Sequence, residues 1–288
     1  MYKTLSILLL YTLFNDMMIS ITTLLTVNRS IMCHETYVNV YYGPCTLVSP
    51  YLCHTFAGIH IHALQNWILS QILLIVFRTS VLRSSFSKKF LSIQRTVTYC
   101  LIAYLPGMVT LIWFLVQFDD PNKLMVAMKQ CSKEDFSYSM ISGFESYHHS
   151  PMQYAMILLL LPNIPHYFLA FCFRHKQNHD LKRRSLSTST LKMHATLRKI
   201  STFKAFLPLI LCFDVMIYTL CQVDLLPPQI SEYFLGTMSS TINILNPLVA
   251  IICFRPYRAT VKATWRSWSS KFATHHKLIF TEEEIVSL

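Results

Sequence analysis

The 288 residues include 53% hydrophobic and only 14% charged side chains, with a formal net charge of +11. A soluble domain carries about a quarter charged residues, so this composition excludes an ordinary soluble fold. The lysines and arginines fall in blocks between long apolar runs and do not form one basic face, which excludes a nucleic-acid-binding surface and is typical of a membrane protein.

The chain also lacks the short motifs of nucleotide, metal and hydrolytic sites. It has only five glycines and no G-x-x-x-x-G-K-[ST], H-E-x-x-H, G-x-S-x-G or C-x-x-C motif. The pairs His148-His149 and His275-His276 have no further spaced ligand for a metal. We therefore predict no enzymatic activity, no cofactor and no metal site.

Six apolar runs are long enough to cross a membrane, because a hydrocarbon core of about 30 Å needs about 20 helical residues. They are residues 5–27, 51–77, 96–118, 152–173, 203–223 and 233–253. The predicted fold is therefore all-α, a polytopic transmembrane helix bundle of about six spans over residues 1–258. Residues 259–288 are predicted to be a cytoplasmic tail. Its Trp265 and Trp268 among basic residues favour a helix on the bilayer surface.

Two acidic residues lie within these spans. Asp16, beside Asn15, is near the middle of the first span, and Asp214 is about half way along the fifth. An ionisable side chain in a bilayer is costly, so it faces the bundle interior and commonly has a function. We predict that Asp16 and Asp214 form intramembrane polar switches, and that the first span packs inside the bundle.

The second span carries a polar face. His62, Gln65 and Asn66 have the i, i+3, i+4 spacing that places side chains on one side of a helix. They are the candidate ligand-contacting residues, although the same pattern fits side chains that only bond to neighbouring helices. Prolines within the later spans predict kinks, and Pro208 and Pro247 are the predicted hinges.

The basic residues predict the orientation, because lysine and arginine near helix ends stay in the cytoplasm. All but four of the 25 lie on one side of the predicted spans. The N-terminus, the loops at 78–95 and 174–202 and the tail are therefore predicted to be cytoplasmic. The loops at 28–50, 119–151 and 224–232 are predicted to face outside.

The predicted outer side contains Cys33, Cys45, Cys53 and Cys131, in a compartment where disulfides persist. We favour a bridge between Cys53 and Cys131, with Cys45 as the competing cysteine. Free or alternately paired thiols also remain open.

Several segments along the chain resemble one receptor family. They are the run through Asn15-Asp16, the Tyr42-Gly43-Pro44-Cys45 segment, the basic entry at residues 192–194 leading to Pro208, the Asn246-Pro247 pair and the closing Arg255-Pro256-Tyr257-Arg258. Together they are similar to the nematode serpentine chemoreceptors of class delta. The resemblance implies a seven-helix receptor that senses a small environmental ligand and signals to a heterotrimeric G protein, in the plasma or ciliary membrane of sensory neurons.

The resemblance also assigns roles to particular residues. Asp16 matches an acidic position in the family's second helix, and Arg78 falls where related receptors keep a basic residue at the inner end of the third. Arg78, Lys192 and Arg198 are the predicted contacts for the G protein. Met1 matches the loop before the family's second helix, so the resemblance implies that the family's first helix is missing here. A truncated inactive receptor is therefore one alternative, and a transporter or channel is a weaker one.

Overall fold

The computed structural model describes residues 2–33, 36–82, 92–131, 140–146, 150–183, 206–221 and 258–269, together with short runs and single residues between 203 and 252. The helices are α1 (Tyr2–Thr26), α2 (Pro50–Leu82), α3 (Ile93–Val116), α4 (Pro121–Cys131), α5 (Pro151–Leu160), α6 (Asn163–Arg183) and α7 (Phe206–Cys221). The strands are β1 (Asn28–Cys33), β2 (Thr36–Tyr41) and β3 (Met140–Phe144).

Four helical segments have the length and hydropathy of membrane spans. They are Ser6–Thr26, Pro50–Phe77, Ile93–Val116 and Pro151–Cys172, and the shorter apolar helix α7 follows them. These five correspond to the first five predicted spans and confirm the helix-bundle fold class. The sixth predicted span, at 233–253, falls largely outside the described residues.

Helix α1 buries one regular stripe of side chains. Its members recur every three or four residues and are Leu8, Thr12, Asn15, Ile19, Thr22 and Thr26. The threonine hydroxyls donate to carbonyls one turn back, as from Thr12 Oγ1 to Leu8 O at 2.9 Å, so their polarity is satisfied within the helix. Leucines such as Leu10 and Leu13 are exposed on the opposite face. The polar side of α1 therefore faces the bundle, as the sequence predicts.

Helix α2 is the central helix of the bundle. Its apolar segment is 61% buried, against 22–28% for the other three long spans. It contacts α1, α3, α5 and α6, and its Trp67 is fully buried. This position explains why α2 contains so many polar side chains, since they meet other helices and not lipid.

The predicted single span at 152–173 is broken at Pro162. Helix α5 ends at Leu160 and α6 begins at Asn163, with a short turn between them. The amide of His166 bonds to Pro162 O at 3.1 Å, which restarts the helical pattern. Proline removes one helical hydrogen bond, so the kink predicted here takes the form of a local break.

The loops predicted at 28–50 and 119–151 contain a three-stranded antiparallel sheet, ordered β1-β2-β3, which the sequence interpretation missed. We call it the outer sheet, after the side on which it is predicted to lie. Pairs such as Ser30 with Asn39 and Asn39 with Ser142 set its register.

The two faces of the outer sheet differ, because successive strand residues point to opposite sides. One face carries Ile31, Val38, Val40 and Ile141, which pack with Leu124 and Met128 of α4 in a separate apolar cluster. The other carries Tyr37, Tyr41 and Phe144, which join the main core formed by α2, α3, α5 and α7. Helix α4 therefore covers the outer sheet, and the outer sheet covers the end of the bundle.

Candidate functional site

A cavity of about 70 Å³ lies beneath the outer sheet. Strands β1 and β2 form its roof, and α1, α2, α5 and α7 form its walls. Its apolar walls are provided by Ile61, Leu64, Met152, Met156, Leu159 and Leu211. At about 10–15 Å³ for each water-sized group, it has room for about five to seven non-hydrogen atoms.

The roof is a cluster of hydrogen-bonded polar side chains centred on Asn39. Its Oδ1 atom accepts from Ser30 Oγ at 2.7 Å, Tyr37 OH at 3.0 Å and Asn28 Nδ2 at 3.1 Å. Three donors on one amide oxygen fix its orientation, so the nitrogen side of the amide is also fixed. The roof therefore presents a preorganised polar surface to the cavity.

One acid of the predicted polar switches, Asp214 of α7, lines the wall of this cavity. The residue is 5% exposed, and its buried Oδ1 atom has no hydrogen-bond partner among the residues that the structure describes. No lysine or arginine is among the described residues that line the cavity. A carboxylate in such a place is one of the most costly groups to bury without a partner.

The other acid, Asp16, is half-buried on α1 and does not line the cavity. Its Oδ1 atom accepts a hydrogen bond of 2.8 Å from Asn246 Nδ2, so α1 is linked to a residue of the last predicted span. The neighbouring Asn15 is fully buried, and neither polar atom of its amide has a hydrogen-bond partner within the described part of the chain. Satisfied and unsatisfied polar groups therefore lie side by side at this level of the bundle.

The three predicted ligand-contacting residues lie elsewhere on α2. His62, Gln65 and Asn66 are buried, and none of them lines the cavity. His62 approaches Gly107 of α3, where an added Cβ would come within 2.7 Å of its Nδ1 atom. Gln65 Nε2 bonds to Ala155 O at 3.4 Å, and Asn66 Nδ2 lies 2.9 Å from His62 Nε2. Their observed contacts are with neighbouring helices and with one another.

A second polar group fixes the outer sheet to the bundle. His54 of α2 lies 2.8 Å from Phe114 O through Nε2 and 2.9 Å from Ser142 Oγ through Nδ1. Ser142 in turn lies 2.7 Å from Tyr41 OH. Burial raises the pKa of the Tyr41 phenol, which keeps it protonated and able to donate. This chain joins α2, α3, β2 and β3.

The predicted bridge between Cys53 and Cys131 is wrong, because Cys53 is bonded to Cys45. A short helical turn at Pro44–Leu47 and the start of α2 at Pro50 place the two Cα atoms 5.1 Å apart. That separation suits a disulfide. Cys131 is the last residue of α4, and its side chain is outside the described set.

The remaining predicted residues are placed only in part. Arg78 belongs to α2, one residue beyond the apolar segment that ends at Phe77. Pro208 is buried near the start of α7. Lys192, Arg198 and Pro247 lie outside the described residues. The hinge and G-protein assignments remain predictions.

The sequence interpretation did not include the polar roof. Its signal was present, because Asn28 and Ser30 alternate with other residues in β1, as do Tyr37, Asn39 and Tyr41 in β2. Alternation of period two predicts a strand with two different faces. Strands this short between long helices are easily taken for loops.

A bundle of long apolar helices, with a polar-capped cavity at one end, defines the class of this protein as a multi-pass membrane helix bundle. Comparison with known sequences then identifies the family. The profile of the serpentine type 7TM GPCR chemoreceptor Srd family matches residues 1–263. The chain therefore belongs to the Srd family of nematode serpentine chemoreceptors.

Individual relatives from Caenorhabditis elegans are about a quarter identical to this chain in sequence. Serpentine receptor class delta-18 is 25% identical over 232 residues, which cover 78% of this chain and 67% of the relative. Serpentine receptor class delta-1 is 25% identical over 255 residues, covering 84% and 67%. Serpentine receptor class delta-3 is 24% identical over 259 residues, covering 85% and 73%. The chain thus spans about two thirds to three quarters of their length.

Proposed function

We propose that this protein is a chemosensory receptor that binds a small ligand in the cavity beneath the outer sheet and signals to a heterotrimeric G protein. The observation that carries this proposal is the cavity itself, which combines apolar walls, a polar roof and a buried acid. Small-molecule sites have this composition, with mostly apolar linings and a few placed polar groups.

A receptor also needs two arrangements whose balance a ligand can shift. The contact between Asp16 and Asn246 is the proposed switch, because it joins the first and last described parts of the bundle. The unsatisfied amide of Asn15 beside it supports this role, since a rearrangement that gave it a partner would recover about 1–3 kcal/mol. Pro208 and Pro247 are the proposed hinges. Arg78, Lys192 and Arg198 are the proposed contacts with the G protein, at the membrane of sensory neurons.

Filling the cavity tests this function. In cells that express the receptor with a G-protein activation reporter, a panel of small volatile and amphipathic compounds is screened for responses. Met156→Trp places an indole in the cavity, and we expect it to raise the half-maximal concentration of an active compound at least about tenfold, because a filled site excludes ligand.

Met108→Trp is the matched control, since Met108 is 36% exposed on α3 and away from the cavity. Surface expression is measured for both variants. An unchanged response in Met156→Trp, at equal surface expression, would refute the cavity as the ligand site.

A further inference from the structure

We propose that the ligand of this cavity is a small primary amine, whose ammonium group pairs with the carboxylate of Asp214 while its carbon chain lies against the apolar walls. This inference rests on the proposed function, because it assumes that the cavity is the ligand site. It adds the chemical class of the ligand.

The first support is the environment of Asp214. Asp214 lines the cavity and is only 5% exposed, and its Oδ1 atom makes no hydrogen bond to any described part of the chain. Buried charges in proteins are paired or bind ions, because an isolated one loses its hydration without compensation. A cationic ligand would supply the missing partner.

The second support is that the described protein groups around the cavity do not supply a cation. The other titratable side chains on its lining are His60 and Tyr37. His60 is held toward α1, with its Nδ1 atom 3.1 Å from Thr22 Oγ1, and Tyr37 donates to Asn39. Arg29 lies next to this region in sequence, but its guanidinium contacts Glu232 at 2.6 Å.

The third support is size and polarity. A cavity of about 70 Å³ holds about five to seven non-hydrogen atoms, which matches an amine of four to six carbons. The cavity lining also includes Leu211, Val215 and Met156, whose side chains are apolar and suit the carbon chain of such a ligand. Alkylamines are ammonium ions at neutral pH, as is the lysine side chain.

The test measures binding directly and needs no G protein. The purified chain in lipid nanodiscs is titrated by calorimetry with primary alkylamines of four to six carbons and with the alcohols of the same carbon skeletons. We expect the amines to bind at least about tenfold more tightly than the alcohols, as charge-assisted hydrogen bonds are about twice as strong as neutral ones. For ligands of five to seven non-hydrogen atoms, the lowest Kd to expect lies between about micromolar and about 20 nM.

Variants then assign the preference to one residue. Asp214→Asn keeps the shape of the side chain and removes its charge, so it should abolish the preference and leave the affinity for the alcohol within about threefold. Glu145→Gln is the charge-matched control, because Glu145 is an exposed acid outside the cavity, and it should behave as the unmodified chain.

The outcomes separate the two proposals. If amines and alcohols bind equally well and Met156→Trp removes the binding of both, the cavity remains the ligand site and the amine assignment is overturned. Binding of neither series would refute the cavity as the ligand site. If Asp214→Asn does not fold, the comparison of amine with alcohol on the unmodified chain still decides, since no preference there contradicts the inference.

Discussion

Two acidic side chains in the apolar part of the bundle have opposite surroundings. Asp16 accepts a hydrogen bond from Asn246, whereas the Oδ1 atom of Asp214 is buried with no partner in the described portion of the chain. An acid that is already paired by the protein stabilises the bundle in one arrangement. An acid without a protein partner is available to pair with a ligand that enters the cavity. These surroundings are the basis for the proposed roles, a switch at Asp16 and ligand recognition at Asp214.

The contact of Asp16 gives a prediction about stability. Asn246→Ala removes the donor, and interhelical hydrogen bonds in membrane proteins contribute about 0.6 kcal/mol on average and about 1.7 at most. At about 2–4 °C for each kcal/mol, we expect the melting temperature of the purified protein to fall by about 1–7 °C. Thermal unfolding followed by size-exclusion chromatography measures it.

The control for that experiment is Ile252→Ala, at a residue that is 63% exposed in the same part of the chain. It removes apolar area and leaves the polar contact in place. A melting temperature that Asn246→Ala leaves unchanged would mean that the contact does not hold α1 to the last span.

At the scale of the elements, the disulfide closes the junction between the outer sheet and α2. Cys45 follows β2 by four residues, and Cys53 lies in the first turn of α2. Nearby, Gly43 approaches the backbone of Leu25 so closely that a side chain would collide with it, and its amide bonds to Thr26 O at 2.9 Å. The end of α1, the end of β2 and the start of α2 therefore meet at one point.

Breaking this bridge should destabilise the protein. Closing a loop of this length in the unfolded chain contributes about 2–3 kcal/mol in the chain-entropy description. We expect Cys53→Ser to lower the melting temperature, and a reducing agent to lower that of the unmodified protein while leaving the variant unchanged. Cys172→Ser is the control, because Cys172 is a free, exposed cysteine. A Cys45→Ser variant with an unaltered melting curve would contradict the observed pairing.

The helices were predictable and the cavity was not, for one physical reason. A membrane span can be recognised from local sequence, because a run of about 20 consecutive apolar residues is rarely found outside membrane spans. The polar stripe of α1, from Thr12 through Asn15 to Thr22, is equally local because helical spacing reveals a face. The cavity is lined by six elements, namely α1, α2, α5, α7, β1 and β2. No local sequence pattern indicates which of these elements come together in the fold.

The predicted ligand residues illustrate this limit. His62, Gln65 and Asn66 do share one face of α2, as their spacing requires. That face packs on α3 and α5, whereas His60, Ile61 and Leu64 reach the cavity. Helical periodicity identifies the polar face, but only the positions of the neighbouring helices decide what the face contacts.

At the scale of the whole molecule, the basic residues predict that the outer sheet lies outside the cell and that the basic segments lie in the cytoplasm. A membrane-impermeant maleimide should label Val126→Cys in intact cells, because Val126 is 61% exposed on α4 over the outer sheet. It should label Ser85→Cys and Ser185→Cys only after permeabilisation, since both lie in basic segments predicted to be cytoplasmic. The unmodified chain gives the background from its own cysteines. Labelling of position 85 or 185 in intact cells would show that the predicted orientation in the membrane is wrong.

The continuity of α1 with the outer sheet has a mechanical consequence. The helix runs unbroken over 25 residues, about 37 Å, and β1 begins two residues after it ends. Val27, the residue between them, has a left-handed φ of 36° and accepts a bond of 2.9 Å from the Tyr42 amide. A β-branched residue is strained in this conformation, so the surrounding contacts must hold the corner in place. A ligand that displaced the roof would therefore also move the end of α1 to which β1 is joined. Asp16 lies about 15 Å along the helix from that end, so the same movement would reach its contact with Asn246.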